Sequence, residues 1–274
     1  MSWEGNLKLE FACRDGSTQL VLDYSQAPLK VQRPFYPEGN EVCHSTILHT
    51  AGGVVGGDRL NLNLHLSPQS QALVSTAAAN KIYGSNGQIA LQNIKIQLDS
   101  EACLEWLPQE TIVFDGAIYR QNLTVELAPQ ASWLGWEITR FGRTARGEKF
   151  VSGDWRSHTE VWQAGQPLWI DRQWLPGDVS ALESPHGLAG CAIAGSMAWI
   201  GSAVTPEMVA EARKLWVSSP YGSQAGVTRL ERGMLCRYLG NDIAEVRNWF
   251  ISVWQLLRPF YLARNICLPR VWQL

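Results

Sequence analysis

Apolar and polar residues alternate along much of the first half of the chain. Leu60, Leu62, Leu64 and Leu66 are separated by Asn61, Asn63 and His65, the period of a strand with one buried face. Leu7, Leu9 and Phe11 alternate with Lys8 and Glu10, and Leu123, Val125 and Leu127 repeat the pattern. Leu134, Trp136 and Ile138 follow across a Pro129-Gln130-Ala131 turn. Between Ile89 and Leu98 the apolar phase slips by one near Asn93, which predicts a β-bulge. Many short strands at such spacing predict a mainly β fold, as a sandwich, a barrel or stacked sheets.

The period changes late in the chain. Thr205-Pro206-Glu207 is an N-cap, a proline at the first helical position and an acid in the first turn, opening a helix that reaches about Trp216. A second helix begins near Asn241-Asp242, where Ile243, Val246, Phe250, Val253, Trp254 and Leu257 make one apolar stripe. It is expected to pack on the sheet and to stop before Pro259. Its aromatic residues Trp249, Phe250 and Trp254 are also the candidate contact for a protein partner. No internal repeat, low-complexity run or linker divides the sequence. The expectation is one domain over residues 1–274, mainly β to about residue 204, with both helices within about 205–258.

Composition narrows the function classes. The chain has 274 residues, 46% of them hydrophobic, enough for a sizeable core. Its 23 Lys and Arg against 25 Asp and Glu leave no basic stripe for nucleic acid. Thirteen Trp fit a core that also serves protein interfaces, where Trp is enriched. The start lacks the basic and apolar regions of a secretory signal. The uncharged run from Leu188 to Val204 is too short and too rich in Gly and Ser for a membrane span and is read as a buried strand pair. Cys13, Cys43, Cys103, Cys191, Cys236 and Cys267 are scattered singly and are read as reduced thiols. A cytoplasmic location without membrane or nucleic-acid partners is the expectation.

Catalytic motifs are not found. The glycine run Gly52-Gly53-Val54-Val55-Gly56-Gly57 is followed by Asp58 and Arg59 where a phosphate loop needs Lys and Ser or Thr, so its glycines are read as turns or close backbone approaches. Cys43, His44 and His49 match no zinc-site spacing, and on one strand the two histidines face opposite ways. His65 lies on the polar face of its strand and is read as solvated. If Glu110 to Asp115 is extended, its two acids also point apart. Arg140, Arg143 and Arg146 with Glu148 form a basic turn that can clamp a partner carboxylate or remain a solvated loop.

Five segments together carry a likeness. LHTAGGVVGGDRL at Leu48 to Leu60, STAAANKIYGS at Ser75 to Ser85, LEWLPQETIVFDGA at Leu104 to Ala117, RFGRTARGE at Arg140 to Glu148 and PRVW at Pro269 to Trp272 resemble, in order and spacing, the urease accessory protein UreD (UreH) family. The resemblance implies a mainly β fold of stacked sheets, β-helix-like or sandwich, with two α-helices in the C-terminal part. It implies a scaffold and metallochaperone, without catalytic activity, that joins urease apoprotein to UreF and the GTPase UreG and helps nickel into the urease active site. It also implies that no cofactor is bound permanently and that nickel is in transit. A metal that must leave again needs exchangeable oxygen and nitrogen ligands. Asp58, Glu110, Asp115 and Glu137, in or beside the matching segments, are the candidates for a polar nickel route. Arg140, Arg143, Trp249, Phe250 and Trp254 are the candidate partner contacts. The residues themselves leave open a β-rich adaptor without metal and an unrecognised hydrolase.

Overall fold

The alternating segments form strands that the chain lays by turns into two sheets. The first six are β1 (Glu4–Arg14), β2 (Ser17–Gln26), β3 (Leu29–Val31), β4 (Val42–His49), β5 (Arg59–Leu66) and β6 (Gln71–Thr76). There follow β7 (Asn80–Ile82), β8 (Ala90–Leu98), β9 (Cys103–Leu107), β10 (Thr111–Val113), β11 (Ile118–Leu127) and β12 (Ser132–Phe141). The remaining strands are β13 (Asp154–Gln163), β14 (Gln166–Pro176), β15 (Ile193–Ile200), β16 (Gln224–Leu230) and β17 (Gly233–Gly240). Helices α1 (Val179–Glu183), α2 (Pro206–Lys214) and α3 (Ile243–Leu262) complete the set. The computed structural model describes residues 2–217 and 222–272.

One sheet runs β14-β13-β11-β8-β5-β1-β2 and the other β16-β17-β15-β12-β9-β6-β4-β3. From β4 to β13 the chain passes back and forth between them, each pass laying a strand parallel to its predecessor. A parallel pair needs a long crossover; here the strand of the opposite sheet supplies it, which makes a solenoid. Short β7 and β10 pair with each other, and β10 with the end of β12.

The solenoid corrects the expectation that no repeat is present. Asn61, Asn93 and Asn122 stand side by side on β5, β8 and β11, each followed by the same apolar alternation. The three strands end in matching turns, with Ser70 N–H bonded to Ser67 O at 3.1 Å, Ala102 to Asp99 at 3.0 Å and Ala131 to Ala128 at 3.1 Å. The third residue of each turn is left-handed: Gln69 at φ 63°, Glu101 at 62° and Gln130 at 64°. The asparagine side chains form a ladder, Asn122 Nδ2 to Asn93 Oδ1 at 2.9 Å and Asn93 Nδ2 to Asn61 Oδ1 at 3.1 Å. Asn61 continues it to Asn6 of β1 at 3.1 Å. The expected bulge near Asn93 is also corrected, because β8 pairs with both neighbours without a register shift. The phase slips because Gln92 occupies an inward position while Leu91 faces out.

The two sheets enclose one apolar core, and a second core lies between the outer face of the β12–β15–β17 sheet and the helices. As expected, Thr205 caps α2, its Oγ1 accepting from Met208 N at 3.2 Å, and α3 begins beside Asn241-Asp242, where Asp242 is its cap and accepts from Ala244 N at 2.7 Å. A short third helix, α1, precedes them. Helix α3 does not stop at Pro259 but runs to Leu262. The turn around the proline loses a backbone hydrogen bond, yet Arg258 and Tyr261 anchor it through buried bonds to Glu105 of β9. The Leu188 to Val204 stretch yields one strand, β15, instead of a pair. Among the described residues no helix is long and apolar enough to cross a membrane.

Candidate functional site

The inward positions of two facing strand rows are polar. On the first sheet Gln92, Gln121, Ser157 and Gln173 lie side by side on β8, β11, β13 and β14. On the second, Glu137, Ser196 and Arg237 lie side by side on β12, β15 and β17. Between these rows sits a cavity of about 350 Å³, lined by Gln92, Gln121, Glu137, Thr159 and Ser196 and walled by Leu62, Ile94, Trp106 and Trp133.

Its polar groups are linked in a chain. Asn80 Nδ2 and the Tyr119 hydroxyl both donate to Gln92 Oε1, at 3.2 and 3.0 Å. Tyr119 also reaches Gln121 Oε1 at 3.2 Å, and Gln121 Nε2 lies 3.5 Å from Ser157 Oγ. Ser157 Oγ donates to Glu137 Oε2 at 2.7 Å, and Thr139 Oγ1 to Glu137 Oε1 at 3.3 Å. Beyond Ser196 the row continues to Arg237 of β17, whose Nη2 pairs at 2.7 Å with Asp171 Oδ1 of β14, the edge strand of the other sheet. Burial is the main force on Glu137 and pushes its carboxyl up to about 7; the Ser157 hydrogen bond opposes that, and the Asp171 charge adds to it. A carboxyl so placed exchanges its proton near neutral pH instead of standing permanently ionised.

A histidine also borders this cavity. His49 Nδ1 lies 3.0 Å from Ala51 O, and a carbonyl only accepts, so Nδ1 carries the hydrogen. Nε2 of the neutral ring then holds a lone pair, and this atom is buried without a hydrogen-bond partner. Trp133 Nε1 is a second buried, unpartnered nitrogen at the cavity wall. Sequence spacing set His49 aside because Cys43, His44 and His49 match no zinc-site pattern, and the cavity that His49 borders is built from strands far from it along the chain.

Of the four carboxylates singled out for a metal route, Glu137 alone lines the cavity. Asp58 is buried and accepts from Trp3 N at 2.7 Å and Val55 N at 2.9 Å, which clamps the glycine loop. Within that loop Gly53, at φ 157°, passes so close to Tyr83 and Lys81 that a Cβ would overlap them, the close approach expected of these glycines. Asp115 accepts from Val151 N and Ser152 N, both at 2.8 Å. Glu110 pairs with Arg247 of α3. The structure therefore does not bring these four acids together.

The partner candidates separate as well. Trp249, Phe250 and Trp254 are buried in the second core, where Phe250 stacks on Trp136 at 6.1 Å, so their side chains offer no surface to a partner. Arg143 is engaged internally, its Nε 2.7 Å from Glu148 Oε2 and its guanidinium 4.7 Å above the Phe114 ring. Among the described residues the Arg140 side chain reaches only Thr144 Oγ1, at 3.1 Å. His44 and Glu38 meet at 2.6 Å and continue through Arg258 to Glu105. His65 is not freely solvated but pairs with Asp99 at 2.9 Å.

The sequence profile described as UreD urease accessory protein matches residues 4–273. A protein of Nostoc sp. named urease accessory protein UreD is 64% identical over 271 residues, covering 99% of this chain and 96% of the relative. Relatives of the same name from Acaryochloris marina and Synechocystis sp. are 56% identical over 273 residues and 41% identical over 258. These cover 100% and 94% of this chain, and 96% of each relative.

Proposed function

We propose a role that proceeds from one premise: this chain belongs to the UreD urease accessory protein family. Membership carries the coarse function, that of a urease accessory protein. The finer reading is a cytoplasmic, non-catalytic scaffold that binds urease apoprotein together with UreF and UreG and eases nickel into the urease active site. Nickel is cargo in this role. The observation that supports it best is the polar row running through an otherwise apolar core, from Asn80 through Gln92 and Gln121 to Glu137. Burying so many polar side chains costs stability unless each is satisfied, and a packed apolar core would hold the sheets together equally well. The row offers a partly hydrated cation weak oxygen ligands one after another, with the His49 imidazole beside it. Each is a site from which the ion can leave.

The test is co-expression of cognate urease subunits, UreF and UreG, with and without this chain, reading urease activity and bound nickel. Both quantities should depend on the chain. Full activation in its absence would overturn the reading.

A further inference from the structure

Beside the cavity, sharing Lys81 with it, another pocket of about 400 Å³ opens where β7, β10 and β12 meet the 144–146 turn. Lys81, Ile112 and Arg140 share one register row across β7, β10 and β12. Two strand spacings root the two cations about 10 Å apart on either side of an apolar floor. Arg146 and Arg143 border the same pocket, and Tyr83 and Phe114, packed edge to face at 4.8 Å, form its wall. Among the described residues no carboxylate lines it and none pairs with Lys81, Arg140 or Arg146 within 4 Å. Arg143 alone is neutralised, by Glu148. The Arg140 Nε is buried with no hydrogen-bond partner, and a buried guanidinium nitrogen left without an acceptor is a donor awaiting one.

We propose that the pocket of Lys81, Arg140 and Arg146 is a docking site for an extended acidic segment of a partner protein. Three cations without an acidic partner call for more than one negative charge, and alternate side chains of an extended peptide, about 7 Å apart on one face, can bring two acids to them from a single segment. An apolar residue between or beside the acids would lie on Ile112 and Phe114. The proposal rests on the scaffold reading only for which protein supplies the segment.

The direct test is isothermal titration of the full chain with hexaglutamate, hexaglutamine and inorganic phosphate at low ionic strength. Hexaglutamate should bind and hexaglutamine should not. The triple variant Lys81→Gln, Arg140→Gln, Arg146→Gln should weaken hexaglutamate about tenfold, as should added salt. A control variant, Lys95→Gln, Arg120→Gln, Arg229→Gln, removes the same charge from exposed positions elsewhere and should leave binding unchanged. Equal binding by all three proteins, or none by the wild type, overturns the site. Phosphate that displaces the peptide at equal concentration shows a small-anion site and also overturns it. Peptide binding that follows these expectations while urease activation ignores the chain would sink the scaffold reading and leave the pocket standing.

Discussion

Arg258 of α3 and Glu105 of β9 form a fully buried ion pair, with Nε 3.0 Å from Oε1. Trp254 Nε1 and the Tyr261 hydroxyl also donate to that oxygen, both at 2.6 Å, and Arg258 Nη2 reaches Glu38 at 2.7 Å. The pair welds the helix to the solenoid across 153 residues of sequence. Breaking it by Arg258→Met strands a buried carboxylate, so we expect a loss of about 3–5 kcal/mol in denaturant unfolding. Glu105→Gln keeps the tryptophan and tyrosine bonds and should cost less.

The same network gives an acid limit. Burial raises the Glu38 carboxyl, but hydrogen bonds from His44 and Arg258 outweigh it and hold the group below the ordinary 4.5. A depressed folded value means the contribution is complete above the unfolded value and lost as pH falls through the folded one. Stability should therefore drop below about pH 4.5, and Glu38→Gln should flatten that limb in a pH series of urea midpoints.

Glu137 has the opposite sign. Its carboxyl sits at about 7 against an ordinary 4.5, so its contribution is complete below 4.5 and lost as pH rises towards 7. The difference corresponds to about 3 kcal/mol at most. Glu137→Gln keeps the Ser157 and Thr139 contacts approximately in place, and should raise stability at pH 8 by up to about that amount while removing the slope between pH 4.5 and 7. If the wild type shows no such slope, the buried carboxyl is not held neutral.

Strand alternation at Leu60–Leu66 and Leu123–Leu127, the cap at Thr205 and the helix start near Asn241-Asp242 were legible because each is a local pattern with one physical cause. Pro259 misled because the bonds that carry the helix past it come from Glu105, far away in sequence. The solenoid itself was written in Asn61, Asn93 and Asn122 and the turns that follow, but the repeat is short and its copies are unevenly spaced. Glu137 and His49 share the cavity wall although they lie on different strands, and sequence proximity carried no sign of that. Gln92 did leave a trace: a polar residue on the core side of a strand looks like a slipped phase. Phe250 and Trp254 were read both as a stripe packed on the sheet and as a candidate partner contact, since both environments want the same side chains.

The ladder makes its own prediction. Asn93 accepts from Asn122 and donates to Asn61, so Asn93→Asp replaces a donor by a second acceptor facing Asn61 Oδ1. We expect a loss of about 1–2 kcal/mol. Asn63→Asp, on the same outward face but outside the ladder, should change stability by less than about 0.5 kcal/mol.

The route is best tested by narrowing it without removing its ligands. Ser196 sits on the cavity wall beside Glu137, paired with it across β12 and β15, and a leucine there would project into the space. Ser196→Leu puts an apolar group in a partly empty site, so the fold should survive, which thermal unfolding would check. A cation that must pass Glu137 would then meet hydrocarbon where it now meets a hydroxyl, and shedding water against hydrocarbon is costly. Urease activation in co-expressing cells should fall about tenfold, with nickel in urease falling in proportion and complexes with the partners still forming. His49→Ala, which deletes the unpartnered Nε2 without filling the cavity, should produce a smaller fall. Unchanged activation in both variants, with folding and complex formation intact, would mean that nickel does not travel between the sheets and that the polar row serves the fold alone.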